Sequence, residues 1–579
     1  MHFRVRGLIW RGMKTICLSF LLRTLLLVVF AGFGWIPSWA NSAQGERGMV
    51  ASGHPLATQA GLEVLKRGGN AIDAAVAVGL TLGVVDGHNS GIGGGCIMII
   101  RRANGRILLL DGRETAPLIA NRDMFLRNGV ADPNLSQVGP LAIATPGALL
   151  AYNYAAGNFG RLPIREHLLQ AANLAEKGFP IDAAYAERLA EAAPQLAAFP
   201  ASREIFLHPD GSPRGVGESL RQVDLARTYR GIAQLGPGYF YTGAFAVATV
   251  RWMTKHGGFL SDADLGLYRI GFREPVTSTY RGRAIVGFSP PSSGGVGVAE
   301  VLNIVEHFDL KKYGPNSADT IHIIAEAMKL AFADRAFWMG DPEFTRVPRT
   351  LASKAYAARL AARISMDHAI PVPQHGIPPA ALQDYFGKHT THFSTADAQG
   401  NWVACTATIN TSFGSKVVIP GTGVLMNNEM DDFSAQPGAP NYFGLVGAEA
   451  NAIAPGKRPL TSMSPTLVMV NGRPLLALGA AGGPTIISQI VLAIINSVDF
   501  GMDAETALAQ PRFHQQWRPD ELRLEAAIPD PVVRELERRG HHVVRVRAIG
   551  AAQAVGLTSD GKKFLGVSEP RGYGSAAGW

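Results

Sequence analysis

The chain passes more than once through the same succession, a pair of short apolar strands around a tight turn and then helix, and this limits the folds open to it. In the first half Cys96 to Arg101 and Arg106 to Asp111 alternate as strands around Asn104-Gly105, a dipeptide suited to a hairpin corner. In the second half Thr391 to Thr395 and Trp402 to Ile409 flank a turn at Asp397 to Gly400, and Thr466 to Val470 and Leu475 to Leu478 flank Asn471-Gly472. Helix follows the last pair, over Ile486 to Val498, and Ala-rich helices dominate the middle from Thr145 to Asp341, most clearly Ser317 to Trp338. Met49 to Ser90 also reads as helical, with Ala57 to Lys66 on one face, a stop at Gly68-Gly69 and a buried helix from Asn70. Strands followed by helices in each half predict a layered α+β sandwich.

A chain of 579 residues with 47% hydrophobic residues has ample material for a large core. The first forty residues stand apart. Arg4, Arg6, Arg11, Lys14 and Arg23 precede the apolar run Leu25 to Trp35, and small residues at Ser38 and Ala40 complete a secretory signal pattern with cleavage after Ala40. The alternative is an uncleaved anchor, which would be the chain's one association with a membrane; Arg23 leaves a short apolar run for a span. Removing those five cations from a formal +8 leaves about +3, too near neutral to suggest a nucleic-acid partner. Of three cysteines, Cys17 lies in the signal, and Cys96 with Cys405 makes neither a disulfide framework nor a CxxC site.

The glycine cluster Gly91 to Gly95 invites a dinucleotide-binding reading, yet Cys96 stands where the last glycine belongs and strand follows where helix is required. No GxxxxGK[ST], HExxH or GxSxG occurs. Chemistry is therefore sought where the proline-bearing connector Pro371 to His389 meets a strand, at His389-Thr390-Thr391. Taken alone, two β-branched residues there simply open a strand.

The context changes that reading. Asp111-Gly112-Arg113-Glu114, Thr408-Ile409-Asn410-Thr411-Ser412-Phe413-Gly414, Asn427-Asn428-Glu429-Met430-Asp431-Asp432, Arg458-Pro459-Leu460-Thr461-Ser462-Met463-Ser464 and Gly479 to Gly483 follow in order, and with Gly48 to Ser52 and Pro511 to His514 they resemble the gamma-glutamyltransferases over nearly the whole mature chain. The resemblance implies the N-terminal nucleophile hydrolase fold, a four-layer αββα sandwich, and a polypeptide that cuts itself between His389 and Thr390. It implies a signal at 1–40, a large subunit at 41–389 and a small subunit at 390–579, paired as a heterodimer, with glutathione-like amides as substrates and amino acids or peptides as acceptors. A threonine hydroxyl is a poor nucleophile without a base, and a freed α-amino group, with a pKa of about 8, supplies one on the same residue.

By the same resemblance Thr408 orients the nucleophile and Gly482-Gly483 donate backbone N–H groups to the oxyanion. Arg113, with Thr461 and Ser462, would bind the substrate α-carboxylate, and Asn410, Glu429 and Asp432 its ammonium. Pro437 to Ala448 would form a lid, with Phe443 where a gating tyrosine often stands. Thr461 replaces the first of two serines, and Glu429 stands where some members have glutamine. No metal or organic cofactor is implied. Two other readings remain open: an acylase of the same fold taking glutaryl chains, and an exported binding protein on a decayed scaffold.

Overall fold

The computed structural model describes residues 41–379 and 394–579. Two seven-stranded sheets, each antiparallel throughout, carry the fold. One runs Ser42–Gly45, Phe564–Ser568, Ala551–Leu557, Arg473–Ala481, Thr466–Val470, Arg283–Gly287, Val276–Tyr280 in spatial order. The other runs Ser575–Gly578, Gly48–Ser52, Ser394–Asp397, Trp402–Thr408, Gly95–Arg101, Ile107–Gly112, Gly271–Arg273.

The period-two pattern of the second sheet explains the layering. Met49, Ala51, Ile97 and Ile99 point into one core together with Ala477 and Val555 of the first sheet, which lie opposite each other on one face. Their neighbours Val50, Cys96, Met98 and Ile100 point the other way, into a core shared with helices Pro55–Lys66, Ala71–Val85 and Ile164–Lys177. Helices Gly294–Val305 and Thr485–Val498 pack on the first sheet, and Ala318–Trp338 packs on Gly294–Val305. The result is the expected four layers, helix, sheet, sheet, helix. Both sheets combine strands from before residue 379 with strands from after residue 394, so neither side of the connector owns a complete sheet.

Local expectations hold with corrections. Asn70 caps Ala71–Val85 by a capping box with Asp73, an arrangement worth about 1 kcal/mol. Ser317 caps Ala318–Trp338. The helical reading from Met49 is wrong at its start: Gly48–Ser52 is a fully buried strand between two others, and a strand buried on both faces loses the alternation that would mark it. The hairpin Val276–Tyr280/Arg283–Gly287 lies inside the Ala-rich middle and pairs with Thr466–Val470 to extend the first sheet. Cys96 and Cys405 are buried and not joined in a disulfide. Among the described residues no helix is long and apolar enough to cross a membrane.

Candidate active site

Arg113 follows directly on strand Ile107–Gly112 and is fully buried. Its backbone is fixed at both ends, the N–H donating to Asp111 Oδ1 at 2.8 Å and the carbonyl accepting from the Tyr268 hydroxyl at 2.7 Å. The guanidinium donates to Asp432 Oδ2 at 2.6 Å, to Glu429 and to the Pro459 carbonyl at 3.1 Å, and lies 3.4 Å from Glu114. Glu429 and Asp432 come from one short turn, Glu429–Asp432, which Asn427 holds by accepting from Glu429 N and Ala144 N and donating to Gly93 and Ala144 carbonyls.

The glycine cluster belongs to this arrangement. A Cβ at Gly93 would fall 2.1 Å from the Leu425 carbonyl, and one at Gly95 would fall 2.3 Å from the Glu114 carboxyl. These glycines let backbone and carboxylate come close, which is a packing role.

One guanidinium faces three carboxyls, so the cluster holds protons. Burial drives the pKa of Glu114 well above the ordinary carboxyl value, with Glu429 repulsion adding to it. Burial likewise raises Glu429 to about 7 and raises Asp432, in both cases against the pull of Arg113. Burial would lower Arg113, but Glu429, Asp432 and Glu114 outweigh it and hold the charge on.

Thr461 and Ser462 are buried on the next stretch. Thr461 passes its carbonyl to Ser293 N and Oγ, both at 2.8 Å, while its Oγ1 accepts from Met463 N at 3.3 Å. Ser462 Oγ accepts from Arg335 Nη2 at 3.2 Å, and Arg335 also donates to Ser293 Oγ at 2.9 Å. Arg335 is a buried second cation whose charge acts on Asp432, and its burial lowers its pKa to about 10. No motif marks it, because it sits within the long buried helix Ala318–Trp338.

Thr408 ends strand Trp402–Thr408, and its Oγ1 accepts from Asn410 N at 2.7 Å. Asn410 takes a positive φ of 75° and donates from its side chain to the Asn428 carbonyl at 3.0 Å, so the turn is closed by its own amide. Asn410 is therefore brought to the Glu429 turn; an approach of its side chain to Glu429 or Asp432 is not among its bonds.

Gly482 and Gly483 lie between strand Arg473–Ala481 and helix Thr485–Val498, at φ 127° and 59°, values that favour glycine. Neither N–H has an acceptor among the described residues, and both sit at a helix N-terminus that favours negative charge. The loop Pro437 to Ala448 bridges the two ends of the site: Tyr442 N donates to Asp431 Oδ2 at 2.9 Å, and the Phe443 ring lies against Gly483, where a Cβ would be 2.5 Å from a ring carbon. His389 and Thr390 lie outside the described residues.

Among the described residues one group could hold a metal, His322, Glu326 and His541. The Lys329 ammonium already stands 2.8 Å from Glu326, His322 Nε2 bonds the Ser365 carbonyl, and the two imidazoles bond each other at 2.7 Å. With a cation in place and the ring nitrogens paired, the cluster is satisfied as a buried polar network.

Two stacked antiparallel sheets between helical layers, with free N–H groups beside a charged pocket, define the class: this is an N-terminal nucleophile hydrolase fold. The solved cephalosporin acylase from Bacillus halodurans superposes with a TM-score of 0.83 at 31% identity, covering 95% of this chain and 98% of that one. The gamma-glutamyltranspeptidase family model matches residues 57–579, and the chain belongs to that family. It is 42% identical over 533 residues to the glutathione hydrolase proenzyme of Escherichia coli, covering 92% of this chain and 91% of the relative. It is also 40% identical over 528 residues to the acylase ACY 1 proenzyme of a Pseudomonas strain (V22), covering 90% and 91%.

Proposed function

We propose that this family member cuts itself between His389 and Thr390 and then cleaves gamma-glutamyl amides of the glutathione type through a gamma-glutamyl ester on Thr390. The observation that carries the reading is the buried group of Arg113 with Glu429 and Asp432, a cation and two carboxyls that match the α-carboxylate and α-ammonium of a glutamyl head. In this structure these groups pair with one another. A zwitterionic head can exchange into them, its carboxylate taking Arg113 and its ammonium taking Glu429 and Asp432, without leaving a bare buried charge.

In the reaction the Thr390 hydroxyl attacks the γ-carbonyl carbon and its proton passes to the residue's own α-amine. The carbonyl oxygen, now negative, is met by the Gly482 and Gly483 N–H groups, which can lower the barrier by several kcal/mol. Collapse breaks the C–N bond, and the leaving amine takes the proton. Water then attacks the ester and releases glutamate, or an amino acid or peptide amine attacks and forms a new amide. Maturation uses the same hydroxyl on the His389 carbonyl, yielding the large subunit 41–389 and small subunit 390–579 as a heterodimer after the signal at 1–40 directs export. None of these steps draws on a metal or organic cofactor.

The acylase relatives keep a second reading in view, an acylase of the same fold, taken here as one that accepts glutaryl amides. A glutaryl chain lacks the ammonium, so Glu429 and Asp432 would be left facing an apolar methylene. Assayed side by side, gamma-glutamyl anilide is expected to exceed glutaryl anilide in kcat/KM by about a hundredfold or more, the equivalent of about 2.7 kcal/mol. Equal values would sink the glutamyl assignment in favour of the acylase. N-terminal sequencing of the smaller fragment, expected to begin at Thr390, tests the maturation site.

Glu429 gives a pH prediction. Its pKa, raised to about 7, means that the folded protein holds a proton that the unfolded chain releases above its ordinary value of 4.5. The stability this contributes is present below pH 4.5 and lost as pH rises through about 7. Substrate ammonium prefers the ionised form, so kcat/KM should rise with pH to a plateau above about 7. Glu429→Gln should remove that inflection and leave any higher one from the Thr390 amine; an unchanged profile would show that Glu429 does not titrate against substrate.

A further inference from the structure

Three buried side chains outside the pocket form a directed relay that ends on the lid. Gln516 Nε2 donates to the Phe443 carbonyl at 3.3 Å and to the Arg518 carbonyl at 3.2 Å. Its amide is thereby oriented, and Oε1 is left to accept from His514 Nε2 at 2.9 Å. That fixes the proton of His514 on Nε2, so Nδ1 is a lone pair and accepts from the Ser488 hydroxyl at 2.5 Å. Ser488, His514 and Gln516 are 0%, 1% and 4% exposed, so no water competes for these bonds.

The relay closes a loop around the oxyanion glycines. Ser488 lies in the first turns of helix Thr485–Val498, whose start is tied to Gly482 and Gly483 by Thr485 N and Ile486 N donating to their carbonyls. Phe443, at the other end, lays its ring on Gly483. The loop is braced within itself by Asn441 Oδ1, which accepts from Phe443 N and Leu445 N, and is held from the pocket side by Tyr442 N donating to Asp431 Oδ2.

We propose that Ser488, His514 and Gln516 are positioning residues that hold the lid closed over Gly482-Gly483, with Gln516 as the tether. This rests on the glutamyl-transfer reading for its kinetic readout. Among the described residues no contact of the three with the Arg113 pocket is recorded, so their effect on substrate passes through Phe443.

Gln516→Glu is the decisive variant. A glutamate of the same length still accepts from His514 but turns a second acceptor toward the Phe443 carbonyl, which it cannot donate to. Loss of one buried hydrogen bond predicts a KM for gamma-glutamyl anilide about tenfold higher, with kcat within about twofold and self-cleavage unchanged. Chymotrypsin should cut the loop after Tyr442 or Phe443 faster in the variant than in the wild type. On a Phe443→Ala background the same substitution should leave KM where Phe443→Ala put it. Wild-type KM with wild-type digestion, a kcat loss at constant KM, or a full effect in the Phe443→Ala background would each overturn the tether. Gln516→Met, neutral and of similar length, carries the same test should the glutamate variant not accumulate. A wild-type protein without gamma-glutamyl activity would defeat the functional reading alone, and the digestion rates would still decide the tether.

Discussion

Thr390→Ala is expected to leave the mature chain as one polypeptide on a denaturing gel and to lower gamma-glutamyl anilide turnover by on the order of a thousandfold or more. Both effects come from one atom. Without the hydroxyl nothing attacks the His389 carbonyl, so the α-amine that would serve as base is never freed. The pocket itself should survive: Arg113, Glu429, Asp432, Gly482 and Gly483 are held by strands, turns and helices through bonds among the described residues. The uncut variant is therefore expected to bind a glutamyl ligand and fail to turn it over, a difference that calorimetry separates from misfolding. A wild-type protein that stays in one piece and still releases glutamate would defeat the scheme, because no free amine would then exist at position 390.

How far such a site can be read from residues depends on whether its parts are local. The hairpin at Asn104-Gly105, the capped helices from Asn70 and Ser317 and the strand ending at Thr408 follow from turn chemistry and capping, which act within a few positions. Gly48–Ser52 escapes that logic because burial on both faces erases its pattern, and only its neighbours 394–397 and 575–578 make it a strand. The charged pocket is legible only as motifs in order. Nothing in Asp111-Gly112-Arg113-Glu114 says that Arg113 will meet residues more than three hundred positions away, and Arg335 and the Ser488-His514-Gln516 relay have no local mark at all. The glycine cluster Gly91 to Gly95 is the instructive opposite. Its local pattern invites a dinucleotide-binding reading that Cys96 and the strand after it refuse, and the fold uses it to admit the Leu425 carbonyl and the Glu114 carboxyl.

Arg113→Ala is the second large effect, and its pH dependence distinguishes a binding group from a structural one. In the folded protein this guanidinium pairs with Glu114, Glu429 and Asp432, with Arg335 acting on Asp432 as well, and removing one partner of a buried ion pair costs about 3–5 kcal/mol when the remaining charge cannot escape. Here it can escape by protonation. Burial already raises all three carboxyls, and without Arg113 they rise further, so the variant holds protons that its unfolded form gives up. Stability from such raised groups is present below their unfolded values and lost as pH rises through the folded ones. The variant should therefore lie close to wild type in urea denaturation near pH 5 and well below it near pH 8. Turnover behaves differently. The substrate carboxylate loses its bidentate partner at every pH, so kcat/KM should fall by about a hundredfold or more at both ends of the range. Two bands should still form near pH 5, since the cut needs only the chain around residue 390. A stability loss equal at both pH values would mean that the three carboxyls are not sharing protons across Arg113, and the exchange of ion pairs on which substrate entry depends would have to be abandoned.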